Sequence, residues 1–176
     1  MSTVTEFLSA VNSAGISRAH KWEVIFAFPS DAGVDSGAIA NVNLMARTST
    51  TPQTALGDLG IRFGGRAIPL AGDRSFEDFT MTFLAINDQS AHDSFEAWSD
   101  FINAFDSNVG DTIPSDYYQD IVLNLLDSED NVVKVYTLYD AYPMSIGGSE
   151  LDRGSENTTM EYTVTFKYLY FLSETI

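Results

Sequence analysis

Met160-Glu161-Tyr162-Thr163-Val164-Thr165-Phe166-Lys167-Tyr168-Leu169-Tyr170 carries a large apolar side chain at every even number, with Glu161, Thr163, Thr165 and Lys167 between the first of them. A period of two belongs to a strand, where successive side chains point to opposite faces. One face is aromatic and suits a core. The other is small and polar and suits water. A sheet is therefore the frame of the fold.

The same alternation recurs upstream. In 21–29, Trp22, Val24, Phe26 and Phe28 oppose Lys21, Glu23, Ile25 and Ala27, and Pro29 ends the run. In 76–84, Phe79, Met81 and Phe83 oppose Asp78, Thr80 and Thr82. Residues 117–126 and 132–139 read as two strands joined by the polar loop Asp127-Ser128-Glu129-Asp130-Asn131. Ile39–Thr48 reads as a further strand, between the Gly/Asp/Ser loop at 30–37 and the polar stretch Thr48-Ser49-Thr50-Thr51-Pro52. Residues 140–158, with Pro143 and Gly147-Gly148, read as a long connection.

Residues 58–71 predict a hairpin. Leu59 to Phe63 and Ala67 to Leu70 flank Gly64-Gly65, and both glycines can take positive φ without strain. Pro69 cannot donate to a ladder and marks an edge strand. Ile61, Phe63 and Ile68 have no obvious core of their own, while 48–58 is polar or small and buries little. The expectation is an extended loop and arm over 48–71 that orders on a neighbouring subunit through Ile61, Arg62, Phe63, Gly64, Gly65, Arg66, Ile68 and Pro69.

After residue 84 the period changes to 3.6. Ala91, Phe95, Trp98, Ile102 and Phe105 define one helix face, begun by Ser90-x-x-Asp93. The opposite face carries Asp93, Glu96 and Asp100 and no cation. At the N-terminus, Thr3-Val4-Thr5-Glu6 has capping-box spacing, and Val4, Phe7, Leu8 and Val11 repeat as an amphipathic stripe. So short a helix must dock on its own domain or on a neighbour. The sum is mainly β: about seven strands in an antiparallel two-sheet sandwich or barrel, one flanking helix and a short N-terminal helix, in a single domain spanning 1–176.

The 176 residues are 44% hydrophobic, enough for one core, and 12 Gly and 5 Pro exclude a low-complexity or collagen-like chain. Absence of Cys excludes disulfides, Cys-ligated metal and a thiol nucleophile, and two His leave little for a His-rich metal centre. Twenty-five acidic against 9 basic residues give a net charge of −16. Such a surface repels nucleic acid and anionic lipid and attracts a basic partner. No basic leader follows Met1, and no run approaches the roughly 18 apolar residues of a membrane helix, so a soluble chain made in a cytoplasm is expected.

No catalytic constellation emerges. His92-Asp93 could be a catalytic pair, but no Cys or elbow Ser accompanies it, and an exposed His at a helix start is the plainer account. His20 precedes a strand and reads as surface. Asp73-Arg74 reads as a turn salt bridge. Gly64-Gly65-Arg66 lacks a phosphate-loop pattern. Asp127 to Asn131 lacks the central Gly and terminal Glu of a calcium loop. No cofactor and no metal are expected. The rows Asp78, Thr80, Thr82 and Glu161, Thr163, Thr165, Lys167 stand out as small, polar faces, either solvated or walling a water-filled lumen.

Ala71-Gly72-Asp73-Arg74-Ser75-Phe76 entering a strand, then Asn87-Asp88, Ala91-His92-Asp93 and Phe95-x-x-Trp98, then Tyr142-Pro143, Leu151-Asp152 and the final strand Tyr162 to Phe166, resemble the tail tube proteins of contractile-tailed phages in order, spacing and total length. The loop at 30–38 is longer than that pattern. The resemblance implies a two-sheet barrel that forms hexameric rings, stacked into a tube inside a contractile sheath, with DNA passing through the lumen without specific binding. It implies the sheath, baseplate and tail-terminator proteins as partners, and a place in the virion tail. The acidic helix face Asp93, Glu96 and Asp100 would then meet the sheath, and one of the Asp78/Thr80/Thr82 or Glu161/Thr163/Thr165 rows the lumen. A tube initiator at the baseplate, or the tube of a contractile bacteriocin or type VI secretion system, would share the fold. A solitary barrel carrying a small ligand would instead be monomeric around an apolar cavity.

Overall fold

The computed structural model describes residues 3–110 and 113–176; residues 111 and 112, in the loop expected ahead of Pro114, and the first two residues lie outside that set. Helix α1 (Val4–Ala14) is followed by strand β1 (Trp22–Phe26), a 3-10 turn at Ser30–Ala32, and α2 (Ser36–Met45). Then come β2 (Ala46–Ser49), β3 (Thr54–Phe63), β4 (Arg66–Phe76), β5 (Phe79–Leu84) and α3 (Ser90–Ile102). The chain ends with α4 (Pro114–Tyr117), β6 (Gln119–Leu126), β7 (Val132–Ile146), β8 (Glu161–Lys167) and β9 (Tyr170–Thr175).

Seven antiparallel strands run in the order β1-β6-β7-β8-β5-β2, with β9 also on β7. β7 joins the two layers. Its first half pairs with β6 and β9 and its second half with β8. Between the halves the register shifts, Asp140 takes a φ of 55°, and its N–H donates to Asp120 Oδ1 at 3.2 Å. A bulge of this kind bends a strand and lets it pass from one layer to the next. The predicted connection from 140 therefore begins as strand, up to Ile146.

The final alternation is two strands, not one. Lys167 ends β8 on one layer, Leu169 donates to the Tyr139 carbonyl at 3.0 Å, and β9 continues on the other. The inward side chain changes from even to odd numbers at the crossing, from Tyr168 to Phe171, while Tyr170 and Leu172 are exposed, so the unbroken alternation in the sequence hides the change of layer.

The core lies between the inner faces of both layers. Phe26 of β1 and Phe28 just beyond it, Phe83 of β5 and Phe166 of β8 surround Phe95 of α3, with ring centroids 5.0 to 5.7 Å from it. Trp98 is fully buried against Phe28, and its indole N–H donates to the Tyr117 carbonyl at 2.9 Å. Helix α3 thus fills the end of the fold near Phe28.

Two local expectations are corrected. Ile39–Thr48 is mostly helix, not strand. Asp35 caps α2 by accepting the Gly37 N–H at 2.8 Å, and Val42 is buried one turn after the half-buried Ile39. Ala, Leu and Met favour that helix, and Asn43 Oδ1 satisfies the Phe26 N–H of β1 at 3.0 Å. Secondly, α3 stops at Ile102, leaving Phe105 outside it and 69% exposed. Ser90 does not cap α3. It lies inside the first turn, and Asp88 Oδ1 accepts its N–H at 3.1 Å and its hydroxyl at 3.0 Å.

Candidate assembly surfaces

The hairpin is longer than its glycine turn suggests. β3 and β4 pair from Thr54↔Phe76 to Phe63↔Arg66 as a separate two-stranded sheet, so 54–58, expected as loop, is strand. Gly64 and Gly65 have φ of 58° and 80°, both left-handed, as a two-residue turn of this twist demands. Gly60↔Pro69 confirms the edge position of the proline. Register puts Leu59, Ile61, Phe63, Ile68 and Leu70 on one face with Arg66, and Arg62, Ala67 and Pro69 on the other. The apolar face is open throughout, with Phe63 78% exposed. The base is anchored to the body: Pro52 is buried, Phe76 packs on Tyr168 and Phe171, and the Tyr168 hydroxyl donates to the Gln53 carbonyl at 3.4 Å, while within the hairpin Arg74 reaches Thr54 Oγ1 at 3.2 Å. Asp73-Arg74 is therefore mid-strand rather than a turn, and Arg74 spends its donor across the hairpin.

The two polar rows, read as alternatives in the sequence, form one surface. β5 and β8 are neighbours, with Thr80 opposite Thr165 and Thr82 opposite Thr163, and the hydroxyls of each pair lie 3.3 Å apart. Ion pairs close both ends: Lys167 with Asp78, and Arg47 of β2 with Glu161. Asp78 holds the Lys167 ammonium above its ordinary pKa by hydrogen bonding. The alternation shows which residues share a row. Which rows are adjacent, and that Arg47 completes the surface, requires the strand order, which no local signal carries.

On α3, Asp93, Glu96 and Asp100 are exposed, as expected. Two of them have local partners. His92 Nδ1 lies 3.5 Å from Glu96 Oε1, and Asp100 Oδ1 accepts the Phe105 N–H at 2.8 Å. His92, Asp93 and Glu96 bring their ligand atoms within 4.8 Å of one another, two of the three being open carboxylates. His92 lies edge-on to Tyr162, 4.8 Å between centroids. Burial, aided by the negative charge of Asp93, pushes the Tyr162 phenol well above its ordinary pKa. Asp127 closes its own turn, accepting the N–H groups of Glu129 at 2.7 Å and Asn131 at 3.0 Å, and these bonds hold its carboxyl below the usual range. His20 is exposed in a turn.

The phage tail tube protein family model matches residues 17–174. The tail tube protein of Serratia phage KSP90 is 37% identical over 175 residues, covering 99% of this chain and 98% of that protein. The chain belongs to the phage tail tube protein family. Tail tube protein gp19 of Enterobacteria phage T4 is 24% identical over 132 residues, 74% of this chain and 81% of that protein. A chain in the sheath–tube complex of an extracellular contractile injection system in its extended state superposes with a TM-score of 0.64 at 14% identity, covering 99% of this chain and all of that one. One from the anti-feeding prophage baseplate gives 0.65 at 17%, covering 91% and 96%. At these identities the likeness shows the fold alone. Membership makes this tail tube protein a structural component of phage tails rather than an enzyme, so its surfaces take the place of an active site.

Proposed function

We propose that the chain builds the inner tube of a contractile phage tail, as hexameric rings that stack, with DNA passing through the lumen, a sheath around the outside, and baseplate and terminator proteins at the ends. The observation that carries this is the hairpin arm. A monomer gains nothing from a ten-residue strand pair with an open apolar face, whereas a stacked copy would bury it, at about 25 cal/mol per Å² of apolar surface covered. The fold's occurrence within a sheath–tube complex supports the sheath as a partner. The threonine surface between β5 and β8 is the best lumen wall. Its two ion pairs cancel, so it presents hydroxyls and paired charges, with no free cation to hold a phosphate. The exposed carboxylates of α3 would then face the sheath.

Electron microscopy of the purified protein in negative stain should show rings or tubes; monomers at all concentrations would reject the proposal. Cysteine at Thr82 or Thr163 should react slowly with a bulky maleimide in tubes and quickly in monomers. The baseplate likeness favours one second reading, a tube initiator, and copy number in purified tails separates the two.

A further inference from the structure

We propose that the apolar face of the hairpin arm docks on the outer face of the β1-β6-β7-β9 layer of a second copy, with its tip over β9 and Arg66 meeting Glu174. This rests on the proposed stacking of copies and names the surface that receives the arm.

Register defines the receiving face. Val24, Leu123 and Leu138 of this layer are buried in the core, so the side chains between them point the other way. Ile25 lies opposite Val122, Val122 opposite Thr137, and Thr137 opposite Leu172, one row across all four strands. Its two ends are uncovered, Ile25 being 47% and Leu172 57% exposed. The neighbouring row, Glu23, Asn124, Val135 and Glu174, has an acid at each edge. Glu23 Oε1 accepts the Asn124 amide N–H at 2.8 Å. Glu174 is exposed and, among the described residues, pairs with no cation.

The arm complements this face in charge and in length. Its open apolar side carries Arg66 as its one charge, beside Phe63 at the tip. The layer's outer face offers an apolar row with an acid two residues along the strand from Leu172. From Leu59 to Phe63 the apolar stretch of β3 runs about 14 Å, at about 3.4 Å per residue. The row from Ile25 to Leu172 crosses four strands about 4.8 Å apart, again about 14 Å. The arm laid along the row crosses the layer's strands near a right angle, one of the two ways sheets pack. With Phe63 on Leu172, Arg66 comes to Glu174. An exposed pair of this kind adds little strength, so the apolar contact holds the arm and the pair sets its direction.

The other exposed elements fit this face less well. Helix α1 has an open apolar stripe too, but Glu6 is its only charged residue and would bring a third acid to a face edged by Glu23 and Glu174. The threonine surface between β5 and β8 has no apolar side chain to bury. Within one chain the arm and the face stay apart, since Phe63 and Leu172 are both open. Two different surfaces meet in this contact, so it repeats from copy to copy as a stack requires.

The chain has no cysteine, so two introduced ones report cleanly. Phe63→Cys is placed in one chain and Leu172→Cys in a second, tagged to differ in size, and the mixture is oxidised after assembly. Both positions are exposed, so neither change disturbs the core. The expected product is a disulfide-linked pair of the two different chains. Adding Arg66→Glu to the first chain should cut its yield about threefold or more at low salt, and adding Glu174→Arg to the second should restore it. Absence of the mixed pair overturns the proposal. So does a bond that closes within one chain carrying both cysteines, a bond to Leu172→Cys from Phe7→Cys in place of Phe63→Cys, or a charge swap that restores nothing. Tubes seen by microscopy without the mixed pair would overturn the docking and leave the proposed function standing, whereas monomers at all concentrations would overturn both.

Discussion

The Tyr162 hydroxyl is 2% exposed as part of its residue and meets no hydrogen-bond partner. A buried polar group left unpaired costs about 1–3 kcal/mol. Phe at this position keeps the ring stacked on Phe83, 5.5 Å between centroids, and removes the cost. Tyr162→Phe should therefore raise Tm by about 2–4 °C per kcal/mol recovered. The sign with pH follows from the raised pKa. Wild-type stability from this group is complete below the ordinary tyrosine value of 10.0 and falls as pH climbs above it, because only the unfolded chain ionises there. The advantage of Tyr162→Phe should widen in alkaline denaturant melts. A variant less stable than wild type at neutral pH would mean the hydroxyl has a partner.

Among elements, what the sequence made legible was periodicity. The strands at 22–26, 79–84 and 161–167 and the helix at 90–102 bury the residues their periods mark. Ile39–Thr48 misled because Ala40, Val42 and Leu44 alternate with Asn41 and Asn43 as a strand would, and Asp35, the cap that announces a helix, sits inside what reads as loop. Of the candidate surfaces, the arm was legible through Gly64-Gly65, its extension to Thr54 and Phe76 was not. Gly64→Val with Gly65→Val should unpair the arm, since β-branched residues resist φ of 58° and 80°. Far-UV and near-UV spectra should report a folded core, while tube formation fails; tubes at wild-type yield would show that the turn is dispensable. On α3, Asp100 holds the Phe105 amide, so reversing it would confuse a local cap with an interface. Asp93→Lys with Glu96→Lys spares that cap and gives up only the His92 contact of Glu96 on the helix surface. Tubes should form and fail to acquire sheath, and normally sheathed tails from that variant would remove α3 from the sheath contact.

At the scale of the molecule, the charge decides what can hold copies together. Each subunit brings −16, so association places like charges side by side. Two kinds of contact could overcome this. Ion pairs from Arg62 and Arg66 to acidic neighbours would weaken with salt, as exposed pairs do. Apolar contacts from Ile61, Phe63 and Ile68 would not, while screening would relieve the repulsion around them, the Debye length falling from about 10 Å at 0.1 M to about 3 Å at 1 M. Arg66 shares its face with five apolar side chains, and no acid of the arm opposes it. The apolar contacts should therefore prevail, and assembly should rise with sodium chloride from low ionic strength to about 1 M. Sedimentation of tubes across that range decides the matter. A steady loss of tubes with salt would assign their cohesion to the arginines instead, and Arg62→Gln with Arg66→Gln would then abolish assembly at low salt, where the apolar account expects it to persist.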